Sequence, residues 1–250
     1  MNRLLGQSFA VVVLGTLITA FSPACAENDQ SIFIRQALAP AQNRQNGACT
    51  YTSDPTQPAL SEGLVDVAIR DTYVAALLVG NQLVPRADAQ NTRVEPNRAH
   101  LNGAVVRVTD PSGAELGEFT SLGSSFIEPQ QNNLPSFSPL FVTALDASIS
   151  AKLLQQVPPG KPGMVVANIK VFGRTVGGVD IESGEFQYPI RVCNGCLVSF
   201  ASGDDPATQG IDCNLPLAEN AGGQQLPCAP GQDEVTPCQL CSDRQACRTR

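Results

Sequence analysis

Met164-Val-Val-Ala-Asn-Ile-Lys-Val-Phe172 decides the fold: Val165, Ala167, Ile169 and Val171 alternate with Val166, Asn168, Lys170 and Phe172. Successive side chains of a strand point to opposite faces, so this alternation predicts a strand with one face in a core. Downstream, Val179-Asp-Ile-Glu182, then Ser183-Gly184, then Glu185-Phe-Gln-Tyr-Pro-Ile-Arg-Val192 read as a hairpin. Phe186, Tyr188, Ile190 and Val192 would share one of its faces. Gly173-Arg-Thr-Val-Gly-Gly178 reads as the turn between strands. Pro189 has no N–H to give to a ladder, so it predicts an edge strand or a register in which that position faces out.

The same β pattern extends upstream. Val65, Val67 and Ile69 alternate with Asp66, Ala68 and Arg70. The apolar stretch from Tyr73 to Val84 is interrupted by Gly80-Asn81, which reads as a turn or bulge. Ala104-Val-Val-Arg-Val-Thr109 runs into Asp110-Pro111-Ser112-Gly113 and then Ala114-Glu-Leu-Gly-Glu-Phe-Thr120, a hairpin pattern. Leu140-Phe-Val-Thr-Ala-Leu145 is a further strand. One helix is predicted after Asp146, a good N-cap; Ile149, Leu153 and Val157 recur at a spacing of four, and Pro158-Pro159-Gly160 ends it. Seven or eight short strands over about 130 residues predict a mainly β fold, an antiparallel β-sandwich of immunoglobulin-like outline with one short helix. The Cys…Trp…Cys core of true immunoglobulin domains is absent, and a closed barrel is the alternative.

Composition changes at both ends of this region. Residues 193–250 carry seven of the nine cysteines and few aliphatic side chains. Such a segment is held by disulfides in place of a core, each contributing about 2–4 kcal/mol. Residues 27–58 are polar and without periodicity. The expected organisation is a signal peptide over 1–24, a linker or N-terminal arm over 25–60, the sandwich over 61–196 and a cysteine-rich irregular tail over 197–250.

Residues 1–24 have the three parts of an export signal. Arg3 is the positive region, Phe9 to Phe21 is an apolar run, and Ser22, Pro23 and Ala24 are small. The run is too short for a membrane span, which needs about 20 residues, and no other segment is long enough either. Two cleavage sites compete. Ser22-Pro23-Ala24-Cys25 resembles a bacterial lipobox, which implies acylation of Cys25, although Ser22 stands where a lipobox has Leu. Ala24-Cys25-Ala26 is also an A-x-A site, which would release a secreted chain without Cys25. Either way Cys49, Cys193, Cys196, Cys213, Cys228, Cys238, Cys241 and Cys247 remain, an even set that reads as a disulfide framework. Cys49 is expected to bridge to Cys193 or Cys196, with the cysteines from 213 onward pairing mainly among themselves.

Several chemistries are excluded or weakened. The formal net charge of −7 disfavours nucleic acid as a partner. Absence of tryptophan weakens a carbohydrate-stacking groove. Cys193-Asn-Gly-Cys196 and Cys238-Gln-Leu-Cys241 lie too far apart for a zinc ribbon, so no metal is expected. A redox C-x-x-C should open a helix, and Leu197-Val-Ser-Phe200 carries no helix signal. His100 is the one histidine, with no G-x-S-x-G beside it, so no catalytic residue is assigned. Asp204, Asp205 and Asp212 form an acidic loop without EF-hand spacing. Glu182 and Glu185 flank a turn and read as solvated. No cofactor is implied, since no phosphate-cradling glycine pattern occurs.

The lipobox-like start, the Val-rich β region and Arg191-Val-Cys-Asn-Gly-Cys-Leu-Val198 resemble uncharacterised envelope lipoproteins of the myxobacterial type. That family carries no assigned activity. The expectation is therefore a non-enzymatic envelope protein with a binding or structural role. It would be held to a membrane by a lipid on Cys25, with an envelope protein or polysaccharide as further partner. Ala26 after Cys25 favours the outer membrane; secretion is the alternative location. The competing function is an extracytoplasmic thiol-disulfide redox protein using Cys193 and Cys196.

Overall fold

The computed structural model describes residues 31–41, 49–87, 94–200, 213 and 226–247. Alternation at 164–172 becomes β8 (Gly163–Thr175), in which Val165, Ala167, Ile169 and Val171 are buried. Around it forms a mixed sheet of β3 (Gly63–Asp66), β10 (Phe186–Cys193), β8, β5 (Ala99–Thr109) and β6 (Glu115–Ile127), in that order. The short β9 (Asp180–Glu182) also pairs with β8. A second sheet has the order β2 (Ala59–Leu60), β1 (Ile32–Leu38), β4 (Tyr73–Asn81) and β7 (Ser136–Leu145). The two sheets face each other across one core, which includes Ile32, Leu77, Val106, Leu140, Ile169 and Ile190. Among the described residues the fold is a β-sandwich with one α-helix, as the patterning predicts; β3 pairs with β10 in parallel, whereas the other pairings within the two large sheets are antiparallel.

The β5–β6 hairpin turns where expected. The Asp110 carboxylate accepts from the Ser112 and Ala114 N–H groups, and Gly113 takes a φ of +91°. At Gly103 the register shifts by one residue; a Cβ there would strike the Ser121 carbonyl oxygen, so the β5–β6 backbones meet only because that position is glycine. On the same side β6 meets β7 of the other sheet, where Ser121 Oγ accepts from Thr143 N (2.8 Å) and Ser125 Oγ lies 2.9 Å from Ser138 Oγ. Helix α1 (Ala147–Gln156) closes one end. Asp146 caps it by accepting from Ile149 N at 2.9 Å, and Ile149, Leu153 and Val157 enter the core.

Three expectations need correction. The N-terminal arm is more than a linker: β1 lies inside it and pairs with β4, because Ile32 and Ala37 supply apolar side chains to the core. Gly80-Asn81 does not break β4. Gly80 pairs with Phe33 and Phe137, and a Cβ there would lie 2.5 Å from the Phe33 ring, so the glycine admits the edge-on contact of those two rings. Ser183-Gly184 is not a hairpin turn. β9 and β10 lie along the same edge of β8, and Ser183 bridges the break through its N–H to the Val171 carbonyl and its Oγ accepting from Val171 N. The hairpin is instead β8–β9, turning at 176–179. Pro189 follows the second of its two readings: β10 lies between β8 and β3, but pairing with β3 starts only at Ile190, one residue later.

Candidate functional site

β3 would be an open sheet edge, and its backbone groups would invite another strand. Residues 229–233 of the tail cover it instead. Asp66 N donates to the Gly231 carbonyl (2.9 Å), Asp233 N to the Leu64 carbonyl (2.8 Å), and Leu64 N to Asp233 Oδ1 (2.8 Å). This seam between sandwich and tail holds the buried side chains of Asp66, Gln232 and Thr236, and two centres make it up.

The first centre is Asp66. Alternation places it on a solvent face, yet it is fully buried. The chain turns immediately after β3, and the carboxylate serves that turn and a distant loop together. Oδ1 accepts from Ala68 N (3.1 Å) and Gly195 N (2.8 Å), and Oδ2 accepts from Leu197 N (2.9 Å). Gly195 and Leu197 flank Cys196 in the C-x-x-C loop, so Asp66 sets that loop's shape. Cys193 and Cys196 are disulfide-bonded, Cys193 buried and Cys196 exposed. Both sulfurs and an Asp66 oxygen lie within 4.8 Å of one another, a set that could ligate a metal only after reduction. A carboxylate at this distance disfavours a thiolate, and the residues after Cys196 form a strand rather than a helix N-terminus. Both features oppose an activated thiol.

The second centre is a hydroxyl chain. Tyr73 Oη donates to Asp233 Oδ2 (3.0 Å) and lies 2.9 Å from Tyr188 Oη. With its one hydrogen given to the carboxylate, Tyr73 accepts from Tyr188. Gln232 runs alongside: its amide takes the Val74 N–H (3.0 Å) and gives to the Val74 carbonyl (2.9 Å), as a strand residue would. Burial pushes the Tyr73 and Tyr188 hydroxyls above the ordinary phenol range, with the Asp233 charge adding to it. Burial also pushes the Asp233 carboxyl up, against the lowering effect of the Leu64 N–H, the Tyr73 hydroxyl and the Gln232 amide. Beside this cluster is a cavity of about 30 Å³, bordered by Leu38, Tyr51, Tyr73, Cys228 and Asp233, enough for a water but not for a substrate. Chemically the arrangement holds neutral phenols against one carboxylate; it is built to fasten the tail.

Covalent bonds reinforce the seam. Cys49 pairs with Cys228, Cys213 with Cys238 and Cys241 with Cys247. The expected bridge from Cys49 to Cys193 or Cys196 is therefore corrected: those two pair with each other, and Cys49 reaches the tail because the arm crosses the outer face of the β1–β4 sheet. There Tyr51 packs with Leu38, Ala76, Leu78 and Phe137. Cys238, Cys241 and Cys247 form a small core with Ile69 and Leu197, and β11 (Val198–Ser199) pairs in parallel with β12 (Thr236–Pro237) beside it.

Other candidate residues lie apart from the seam. His100 sits on the outer face of the β5–β6 sheet, stacked on the Phe126 ring at 4.3 Å, with Nε2 3.1 Å from Ser124 Oγ. This histidine–serine pair lies on a sheet surface rather than in a cleft. Glu182 pairs with Lys170 (2.7 Å) and Glu185 with Arg107 (3.1 Å), so each carboxylate is used in a surface ion pair. The signal peptide, Cys25, Asp204, Asp205 and Asp212 lie outside the described residues. Sequence reasoning missed Asp66, Gln232 and Asp233 as functional groups. Asp66 gives one signal, an acid within an otherwise apolar strand; Gln232 and Asp233 give none in a polar tail. The chain matches no protein-family model, no curated protein and no solved structure.

Proposed function

We propose that this is an exported envelope protein, anchored through a lipid on Cys25, with a non-enzymatic binding or structural role. The observation that carries the extracytoplasmic part of the reading is the use of cysteine: all eight after Cys25 are paired in four bridges. Bridges of this density belong to an oxidising compartment; they suit a secreted chain without Cys25 equally well, and the anchor rests on Ser22-Pro23-Ala24-Cys25, which resembles a lipobox. The buried ionisable groups of the seam support a structural role, because Asp66 and Asp233 spend their oxygens on backbone N–H groups and a tyrosine. Ala26 after Cys25 favours the outer membrane. Against the redox reading stand the Asp66 carboxylate beside the sulfurs and the strand that follows Cys196.

Intact mass of the native mature protein, before and after reduction and alkylation, tests this. The expected result is a diacylglycerol-plus-acyl increment on Cys25 and eight alkylations that appear only after reduction. A lipid-free chain beginning near Glu27 would overturn the anchor, and thiols free before reduction would restore the redox reading.

A further inference from the structure

The chain enters the sandwich at one pole. Ser31, the first described residue, accepts through its carbonyl from Gln82 N at 3.1 Å, just beyond the end of β4. Ladder registers bring the starts of β1, β5, β7 and β9 and the ends of β4, β6 and β8 to the same pole. Its loops are fastened to each other: Gln130 N donates to the Leu83 carbonyl, Val176 N to the Arg98 carbonyl and Gly177 N to the Pro96 carbonyl. From this one surface project Val84, Val94, Leu134, Val176 and Val179, each between 46% and 74% exposed.

We infer that this pole lies on a lipid bilayer, its aliphatic side chains set into the interface; the inference rests on the anchor reading above. The argument is one of reach. Only residues 26–30 separate Cys25 from Ser31, and six residue steps span at most about 22 Å. β6 and β8 are 13 residues each, and at roughly 3.3 Å per residue the sandwich is about 40 Å long. The tether is shorter than the domain, so an acylated Cys25 cannot let the domain stand on its opposite pole. Charge agrees. The protein carries a formal −7, but the described acids of this pole are matched: Glu128 to Arg98 (2.9 Å) and Asp180 to Arg174 (2.7 Å). Glu95 takes the N–H groups of Arg86, Ala87 and Asn97. A near-neutral surface with protruding Val and Leu suits the headgroup–acyl boundary, where an apolar face sinks about 5–10 Å.

The chain has no tryptophan, so a single introduced one reports its surroundings without background. V179W and L134W label the pole, and K161W labels the opposite end, between α1 and β8. Each variant is purified with its native N-terminus, weighed, and reconstituted into phosphatidylcholine–phosphatidylethanolamine vesicles with or without brominated acyl chains. The expected result is a lipid mass on Cys25, with emission from V179W and L134W quenched about two-fold by brominated lipid and that from K161W unchanged. A lipid mass with no quenching at V179W or L134W would overturn the docked pole and leave the anchor standing. Equal quenching at K161W would also overturn it. A chain without lipid would overturn both readings together, and the mass alone identifies that case.

Discussion

Asp66→Ala should be the most damaging single polar substitution in this protein. It deletes a fully buried acceptor and strands three backbone N–H groups, those of Ala68, Gly195 and Leu197. An unsatisfied buried donor costs about 1–3 kcal/mol. Leu197 N is in a buried bond and should bear a full penalty, whereas Ala68 N and Gly195 N are part-buried and water can relieve them in part. The sum is about 3–5 kcal/mol, a large share of the roughly 5–15 kcal/mol that stabilises a typical domain. Asp66→Asn keeps one carbonyl oxygen for Ala68 and Gly195 but turns an NH₂ toward Leu197 N, so it should lose about 1–3 kcal/mol. Urea denaturation with the disulfides intact measures both. With a slope of about 2 kcal/mol per molar, the midpoint should fall by roughly 1.5–2.5 M for Asp66→Ala. The same variant should also be reduced faster at Cys193–Cys196 by a dithiol, because the loop's shape is no longer held. A midpoint within about 0.3 M of the parent would refute the assignment of Asp66 as the organiser of this loop.

Three further outcomes are expected. Ile149→Ala, at a site 2% exposed where the helix meets the core, should cost about 2–5 kcal/mol in thermal or urea denaturation, and a loss below about 1 kcal/mol would mean α1 is not fastened there. Removing Cys49–Cys228 as a double Ser variant should cost more than removing Cys241–Cys247, because the sequence separations are 179 and 6; the chain-entropy account gives about 5 and about 2 kcal/mol, and calorimetry showing the reverse order would reject it. Asp233 has its carboxyl pushed up by burial, so its folded form binds a proton at higher pH than its unfolded form. Its contribution to stability is fully present below the ordinary Asp value of 3.8 and is lost as pH rises through the elevated folded value. The parent should therefore gain stability relative to Asp233→Asn as pH is lowered from neutrality toward that value, and parallel urea midpoints across the range would contradict this.

Wherever an element depends on its own neighbours in the chain, the residues announce it. Val165, Ala167, Ile169 and Val171 occupy one face of β8 because a strand has a period of two, and Asp146 with Ile149, Leu153 and Val157 delimits α1 because a helix has a period near four. Asp110 and Gly113 mark the β5–β6 turn for the same local reason. Pairing is another matter. Ser183-Gly184 has turn composition, and only the presence of β8 alongside both β9 and β10 converts it to an interruption bridged by Ser183. Pro189 looks like an edge residue, and where β3 begins its pairing decides that β10 can lie inside the sheet.

Residue order alone was enough to read a mainly β protein with an even set of cysteines after residue 25, since two-residue periodicity and cysteine parity are properties of short windows or of the whole composition. Tertiary structure alone decided which cysteines meet, that the arm contributes β1, and that Asp66 and Asp233 fasten the tail over the edge of β3. Cys49 and Cys228 lie 179 residues apart, and Tyr73 and Asp233 160 apart. A contact at that separation leaves no local pattern: it exists because two sheets closing on one core leave a strand edge uncovered, and the tail is the segment the fold brings to it.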